Sequence, residues 1–315
     1  MIEIYKHKAT IIHILPYNLT VCGGIKVHFQ LAELEKQLGH LSYVAFPRRS
    51  VPMWFKHSVT CISYTDAKEF LQQKALKKIV IGWEDIDVLK QFDADIRVSY
   101  IQGESLIKHS LADFEVFEKE HKGKIWYSSK WNRSSNKAPD GLLVSPYIDT
   151  TVFYPNPIPS ILSKLQLLVL TRKEGRKKWE DVEKHLLPQV KEQLGITFLD
   201  DTTEEQFAKI LRNSNIFFAH SYPEGLSLPA LEAMASKTLV IGYSGGGGND
   251  FMVSGENCFN SSTGDARGVA EVLSLITHHS FNPQPMLEKG YATALSKYSK
   301  DNTLDQLKVA INAVL

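Results

Sequence analysis

The sequence predicts an α/β protein of two doubly wound domains, each a parallel sheet flanked by helices. Three observations predict it. The chain has 315 residues, about twice the ~150 of a typical domain. Short apolar runs rich in β-branched residues alternate with segments of helical periodicity. Near the middle, Tyr154 to Ser160 read YPNPIPS; each proline disfavours helix before it, and the alternation restarts afterwards.

In chain order, Thr10 to Leu15 (TIIHIL) is a continuous apolar run ended by Pro16, as expected of a strand buried on both faces. Gly23 and Gly24 form a glycine loop before a helix in which Val27, Leu31, Leu34 and Leu38 recur at spacings of four, three and four, with Gly39 as its stop. Ser42 to Phe46 completes a βαβ unit. Further strands are expected at Ile79 to Trp83, Arg97 to Ile101, Ile125 to Ser128 and Leu142 to Val144. After the prolines come a strand at Leu165 to Leu170, a helix over Trp179 to Leu194, then Ile196 to Leu199, Glu204 to Arg212, Asn215 to Ala219, Pro229 to Ser236 and Leu239 to Gly242. Ala266 to His278 and Thr303 to Leu315 have helical patterns, and the last is free to pack back on the first domain. The expected organisation is 1–153, a linker over 154–160, and a second Rossmann-like domain over 161–315. A cleft between two such domains is where a ligand is expected, beyond the carboxyl ends of the strands.

Composition narrows the function. Hydrophobic residues are 43% and charged residues 23%, which excludes disordered, collagen-like and disulfide-scaffold classes. Lys plus Arg number 36 against 35 acidic residues, a net charge of +1, so no nucleic-acid partner is expected. Cys22, Cys61 and Cys258 fit neither a disulfide framework nor a metal knuckle. The N-terminus lacks a signal-peptide core or membrane span, and a cytoplasmic protein is expected, with room for peripheral contact at the inner face of the membrane. Oligomeric state is not legible.

The chemistry concentrates in His220 to Gly248, HSYPEGLSLPALEAMASKTLVIGYSGGGG. A strand leads into a loop carrying Glu224 and Gly225, and Pro229 suits the first turn of the next helix. Glu224 and Glu232 are eight positions apart, one at the loop mouth and one a turn down the helix. Backbone amides at about Leu226, Ser227 and Leu228 form an anion site at that helix start. Phosphate at the amides, a sugar hydroxyl at Glu224 and a ribose hydroxyl at Glu232 would use every feature; an exposed loop glutamate and a dipole-favoured helix carboxylate explain each part singly.

Glu224, Gly225, Leu226, Leu228, Pro229, Leu231, Glu232, Ala233, Met234 and Ala235 resemble the E-x7-E signature of retaining glycosyltransferases of the GT-B fold, family 4 type. The resemblance extends over Ile196 to Leu211, Asn213 to Ala219 and Leu239 to Gly246, and Arg172 and Lys178, six apart, are similar to the pair that grips the diphosphate. Gly23 and Gly24 match the first loop of the family's N-terminal domain. Ser128, Ser129, Trp131, Pro146, Ile148, Asp149, Phe153, Tyr154 and Pro155 resemble its approach to the interdomain linker. Departures are Lys237 where glycine is usual, Asn249 and Asp250 where a glutamate is usual, and Pro146 and Tyr147 before Ile148 and Asp149. In the first domain, Gln102, Gly103 and Glu104 stand where a histidine is common, with His109 later; that loop resembles members transferring deoxy sugars such as rhamnose.

The resemblance implies a GT-B protein with two Rossmann-like domains facing across a cleft, moving a hexose or deoxyhexose from a nucleoside-diphosphate sugar to a saccharide or lipid-linked acceptor. Arg172 and Lys178 would stabilise the leaving diphosphate with no metal or other cofactor, although the neighbouring Lys173, Arg176 and Lys177 are also compatible with a solvated basic face. Glu224 would orient sugar hydroxyls or face the oxocarbenium charge. Glu232 would hold the ribose, Gly225 to Leu228 the phosphates and Thr202 the base, while Gly23 and Gly24 would approach the phosphates on closure. Gln102, Glu104 and His109 are the acceptor-side candidates. The alternative is an inactive nucleotide-sugar-binding protein or partner subunit on the same fold. Asp85 with Asp87, and Asp93 with Asp95, could be taken for a metal-binding pair but flank an apolar helical face and are expected to be surface carboxylates. Gly245 to Gly248 are not a dinucleotide fingerprint, since no long helix follows.

Overall fold

The structure is a computed structural model, and it describes residues 8–16, 20–73, 76–103, 109–135, 140–156, 164–278 and 280–315. The chain divides into two compact units, 1–147 with 301–315, and 148–300. The division falls at Tyr147, ahead of the boundary expected at 153, and the final residues belong to the first unit. Of the expected linker, residues 157–160 lie outside the described residues.

The first unit carries β1 (Ala9–Ile14), β2 (Leu41–Phe46), β3 (Thr60–Ser63), β4 (Lys77–Trp83), β5 (Ile96–Ile101), β6 (Gly123–Tyr127) and β7 (Leu142–Leu143). They form one sheet in the order β3-β2-β1-β4-β5-β6-β7, and every pairing is parallel. Strand β3 was not expected: four residues with one half-exposed end give too short a run to stand out. Its helices are α1 (Gly23–Gln37), α2 (Tyr64–Gln72), α3 (Ile86–Leu89), α4 (Leu111–His121), α5 (Lys130–Ser135) and, from residue 301, most of α12 (Lys300–Asn312). Helix α12 is tied down by the Ser145 N–H donating to Gln306 Oε1 at 2.7 Å.

Helix α1 buries polar as well as apolar positions. His13 of β1 bonds His28 Nδ1 at 2.8 Å and Glu35 Oε2 at 3.0 Å, and the Ser42 hydroxyl donates to the same carboxylate at 2.6 Å. All four side chains are buried, and their mutual hydrogen bonds offset part of the cost of that burial, although His28 Nε2 has no partner among the described residues. Burial, with His13 alongside, pushes the His28 imidazole well below its ordinary range.

The second unit has β8 (Leu165–Leu170), β9 (Leu194–Leu199), β10 (Ile216–Ala219), β11 (Leu239–Tyr243) and β12 (Phe259–Ser261), in the all-parallel order β12-β11-β10-β8-β9. Helices α6 (Gly175–Glu183), α7 (Pro188–Gln193), α8 (Glu204–Arg212), α9 (Leu228–Ala235), α10 (Ala266–Ile276) and α11 (Gln284–Lys297) flank it. The single helix expected over Trp179 to Leu194 is two. Pro188 lacks an N–H for an interior helix bond and opens α7 instead, so α6 ends at Glu183 and the chain turns at Lys184 and His185. Beneath the sheet, Trp179 and Val182 of α6 pack with Leu167, Val169, Phe218, Ile241, Val269 and Leu273. Because β8 lies between β9 and β10, the loops leaving β8 and β10 run in opposite senses from adjacent strands, a topological switch point.

Candidate active site

The switch point of the second unit is built from three loops. After β8, Lys173 and Glu174 both adopt left-handed backbone, with φ of 52° and 61°, an uncommon conformation for residues bearing a Cβ. Gly175 then opens α6 where no side chain fits: a Cβ would lie 1.8 Å from the Leu170 carbonyl oxygen and 2.6 Å from His220 Nε2. After β10, the chain runs through His220 and the cis Tyr222–Pro223 peptide to Glu224. After β11 comes the glycine run, whose partner is the Glu224 loop. The Glu224 N–H donates to the Gly245 carbonyl at 2.7 Å, and the Gly247 N–H donates to the Glu224 carbonyl at 2.8 Å, a parallel bridge between Glu224 and Gly246. Gly245 and Gly246 have φ of 68° and 99°. A Cβ on Gly247 would stand 1.9 Å from the Gly225 carbonyl oxygen, so the glycines are there to let two backbones touch.

These loops bring opposite charges together. Lys173 Nζ lies 2.5 Å from Glu224 Oε2, with the lysine side chain about half exposed. Arg172 Nε pairs with Asp201 Oδ1 at 3.2 Å, and the neighbouring Thr171 hydroxyl donates to Asp200. Lys178 reaches from α6 to donate to the His220 carbonyl at 3.2 Å. Burial, reinforced by Lys173 and opposed by Glu174, lowers the Lys178 ammonium from its ordinary value. The His220 imidazole is buried and pushed down to about 4, first by burial and then by the cations Lys178 and Lys173. It is therefore neutral near pH 7, and its Nδ1 has no hydrogen-bond partner among the described residues.

Helix α9 starts at the Glu224 loop with Pro229 in its first turn and Glu232 buried one turn in. Leu226, Ser227 and Leu228 are buried. The Leu228 N–H is already donated to the Leu226 carbonyl at 2.9 Å, so Leu226 and Ser227 are the better amide donors for an anion. Just past α9, Lys237 has a φ of 53°, a left-handed helix end of the kind that glycine adopts without strain. Lys237 is held by Glu288 at 2.6 Å and lies over the Tyr291 ring. Thr202, expected at the base, donates its hydroxyl to the Thr203 carbonyl beside the capping box that starts α8.

The expected residues of the first unit gather at the carboxyl ends of β1, β4 and β5. The Gln102 side-chain amide donates to the Gly24 carbonyl at 3.3 Å, and its backbone N–H donates to Glu84 Oε1 at 2.9 Å. Gly23 opens α1. Gly24 has a reason to be glycine within its own unit: a Cβ would meet the Trp83 ring at 2.9 Å. Glu104 lies outside the described residues. His109 is buried, with Nε2 3.5 Å from Asp85 Oδ1. Among the described residues, Asp85, Asp87 and His109 form a cluster with ligand atoms within 4.8 Å of one another. Asp85 also accepts the Asp87 N–H at 3.1 Å and Asp87 pairs with Lys90 at 3.0 Å, so helix capping and an ion pair account for the carboxylates. Asp95 accepts the Lys78 N–H at 2.9 Å.

Comparison with known proteins bears on the fold and on the second unit. Residues 145–278 match the family model described as glycosyl transferases group 1, a segment holding every expected site residue of the second unit. A glycosyltransferase from Rickettsia africae ESF-5 superposes with a TM-score of 0.75 at 14% identity, over 98% of this chain and 99% of that one. The fold is GT-B. A sucrose-phosphate synthase from Thermosynechococcus elongatus gives 0.71 at 16% identity, over 98% and 99% of the two chains. HepE of Anabaena, in complex with UDP and glucose, gives 0.73 at 11% identity, over 96% and 99%. No curated protein sequence matches the chain. At these identities the likeness is one of fold.

Lys173, His220, Gly175 and the pairing of Gly245 to Gly247 with Glu224 were not anticipated as site features. Lys173 was one of several neighbouring cations, and His220 was a lone histidine at a strand end. Only the β8–β10 adjacency brings Lys173 to Glu224, and to His220 on the same β10 loop. The glycine run was visible, but its partner was not.

Proposed function

We propose that the protein is a glycosyltransferase that moves a hexose or deoxyhexose from a nucleoside-diphosphate sugar to a saccharide or lipid-linked acceptor, with retention of anomeric configuration and without a metal. The observation that carries this reading is the meeting of cationic and carboxylate loops at one switch point, with Glu224 2.5 Å from Lys173 at the mouth of α9. Loss of a nucleoside diphosphate concentrates negative charge on the leaving group. Arg172, Lys178 and the Leu226 and Ser227 amides are the groups that would stabilise it, which makes a divalent ion dispensable. Glu224, its backbone fixed on both sides by the glycine run, would orient sugar hydroxyls and face the developing oxocarbenium charge. Glu232 would take the ribose.

The match of residues 145–278 to a glycosyltransferase family and the UDP and glucose bound by HepE support a nucleotide-sugar donor on the second unit. Gln102 and His109 remain the acceptor-side candidates in the first unit. None of the described helices is long and apolar enough to cross a membrane, and a cytoplasmic protein meeting its acceptor at the inner face of the membrane fits that. The test is turnover of a nucleotide-sugar panel with and without chelator. Sugar release that survives chelator and is lost in Glu224→Ala supports the reading. Nucleotide binding with no turnover, with or without acceptor saccharides, would favour the inactive binding protein.

A further inference from the structure

We propose that Lys173 is a shared cation, for which the Glu224 carboxylate and the donor's diphosphate compete, so that donor binding draws Lys173 off Glu224 and leaves that carboxylate to the sugar. The inference rests on the nucleotide-sugar reading above and adds a residue to it.

Four observations carry it. Lys173 is the residue after Arg172, on the same β8 loop as that member of the expected diphosphate grip, and its ammonium reaches the Glu224 loop at the start of α9. Its side chain is about half exposed while Glu224 is three-quarters buried, which leaves the lysine as the partner able to move. The other cations of the loop and of the start of α6 each have a protein group. Arg172 lies against Asp201 at 3.2 Å, Lys178 on the His220 carbonyl at 3.2 Å, Lys177 beside Glu174 at 3.6 Å, and Arg176 over the Phe198 ring at 3.9 Å. Of these five, Lys173 alone is paired with the carboxylate assigned to the sugar. Finally, both ends of the pair are set by backbone: the left-handed turn at Lys173 and Glu174 on one side, and the bridge between Glu224 and Gly246 on the other. A diphosphate offers more charge and more acceptor oxygens than one carboxylate, and a lysine ammonium, compact and on a flexible stem, suits an exchange of partners better than a planar fork does.

The test is isothermal titration with UDP, GDP, dTDP and ADP at fixed ionic strength, on wild type, Lys173→Gln, Glu224→Gln and the double variant. Lys173→Gln is expected to weaken the best-binding nucleotide about tenfold, and Lys173→Arg to restore it to within about threefold. Glu224→Gln is expected to tighten it about threefold by releasing the lysine from a partly exposed pair. The double variant decides the matter. If Lys173 is shared, Glu224→Gln gives no gain once Lys173 is gone. A gain that persists in the Lys173→Gln background reflects simple relief of charge repulsion and overturns the proposal, as does an unchanged affinity in Lys173→Gln. Wild-type protein that binds none of the four nucleotides overturns the donor-site reading itself.

Discussion

Both units are all-parallel, doubly wound sheets, ordered β3-β2-β1-β4-β5-β6-β7 and β12-β11-β10-β8-β9, and they differ in what they place at the switch point. In the second, the loops after β8 and β10 bring Lys173, Lys178, His220 and Glu224 together, and the glycine run fixes the Glu224 backbone. In the first, the corresponding edge is packed: Gly24 lies against the Trp83 ring, and Gln102 ties β5 to the start of α1. A polar network of His13 with His28, Glu35 and Ser42 is instead buried inside, between β1, β2 and α1. An all-parallel sheet thus carries a cluster of charged side chains at the switch point of one unit and packed side chains at that of the other, and the loops make the difference.

That contrast can be broken by mutation. The largest effect is expected from Glu224→Ala, which should cut transfer by about a thousandfold or more while leaving nucleotide binding within a few fold. Steady-state kinetics beside titration checks this, and turnover within a few fold of wild type would remove Glu224 from the chemistry. Glycine substitutions come next. In Gly247→Ala the new methyl meets backbone at 1.9 Å, whereas in Gly24→Ala it meets a ring edge at 2.9 Å. The first should cost about 3 kcal/mol or more and the second about 1 kcal/mol, measurable as denaturant midpoints. Equal costs would mean the glycine run has no special hold on the Glu224 loop.

Acid should reveal His220. Its native value of about 4 lies below the ordinary 6.5, so below pH 6.5 the unfolded chain takes up a proton that the native chain refuses. Stability contributed by the neutral imidazole is whole near pH 7 and declines by about 3 kcal/mol as pH falls to 4. His220→Asn should flatten that part of the profile; an unchanged slope would show that the imidazole is not held neutral. His28 in the first unit titrates in the same direction, so the two single variants separate the units. The smallest effect is expected from Gln102→Ala, about 1 kcal/mol or less of stability with nucleotide affinity unchanged in a titration.

Legibility in the sequence followed how local each signal is. Strand β1, the helix after Gly23 and the start of α9 at Pro229 depend on residues within a dozen positions, and their apolar spacing and caps are readable. Glu224 and Glu232 lie in one such segment, so this part of the candidate site is legible from spacing. Strand β3 is too short to carry periodicity, and the break at Pro188 divided an otherwise continuous helical pattern. Lys173 and Glu224 are 51 positions apart, and only the strand order makes them neighbours. The partnership of Gly247 with Gly225 is equally invisible, because the need for glycine arises from a second backbone.

The most direct test of the central claim, a nucleotide-sugar site on the second unit, is a thermal-shift panel of UDP, GDP, dTDP and ADP without added metal, on wild type and Glu232→Ala. A ligand at 100 times its dissociation constant stabilises by about 2.7 kcal/mol. The expected result is that one nucleotide raises the wild-type melting temperature and loses most of that effect in Glu232→Ala. No shift with any of the four, or a shift that Glu232→Ala leaves intact, would contradict the placement of the donor at α9.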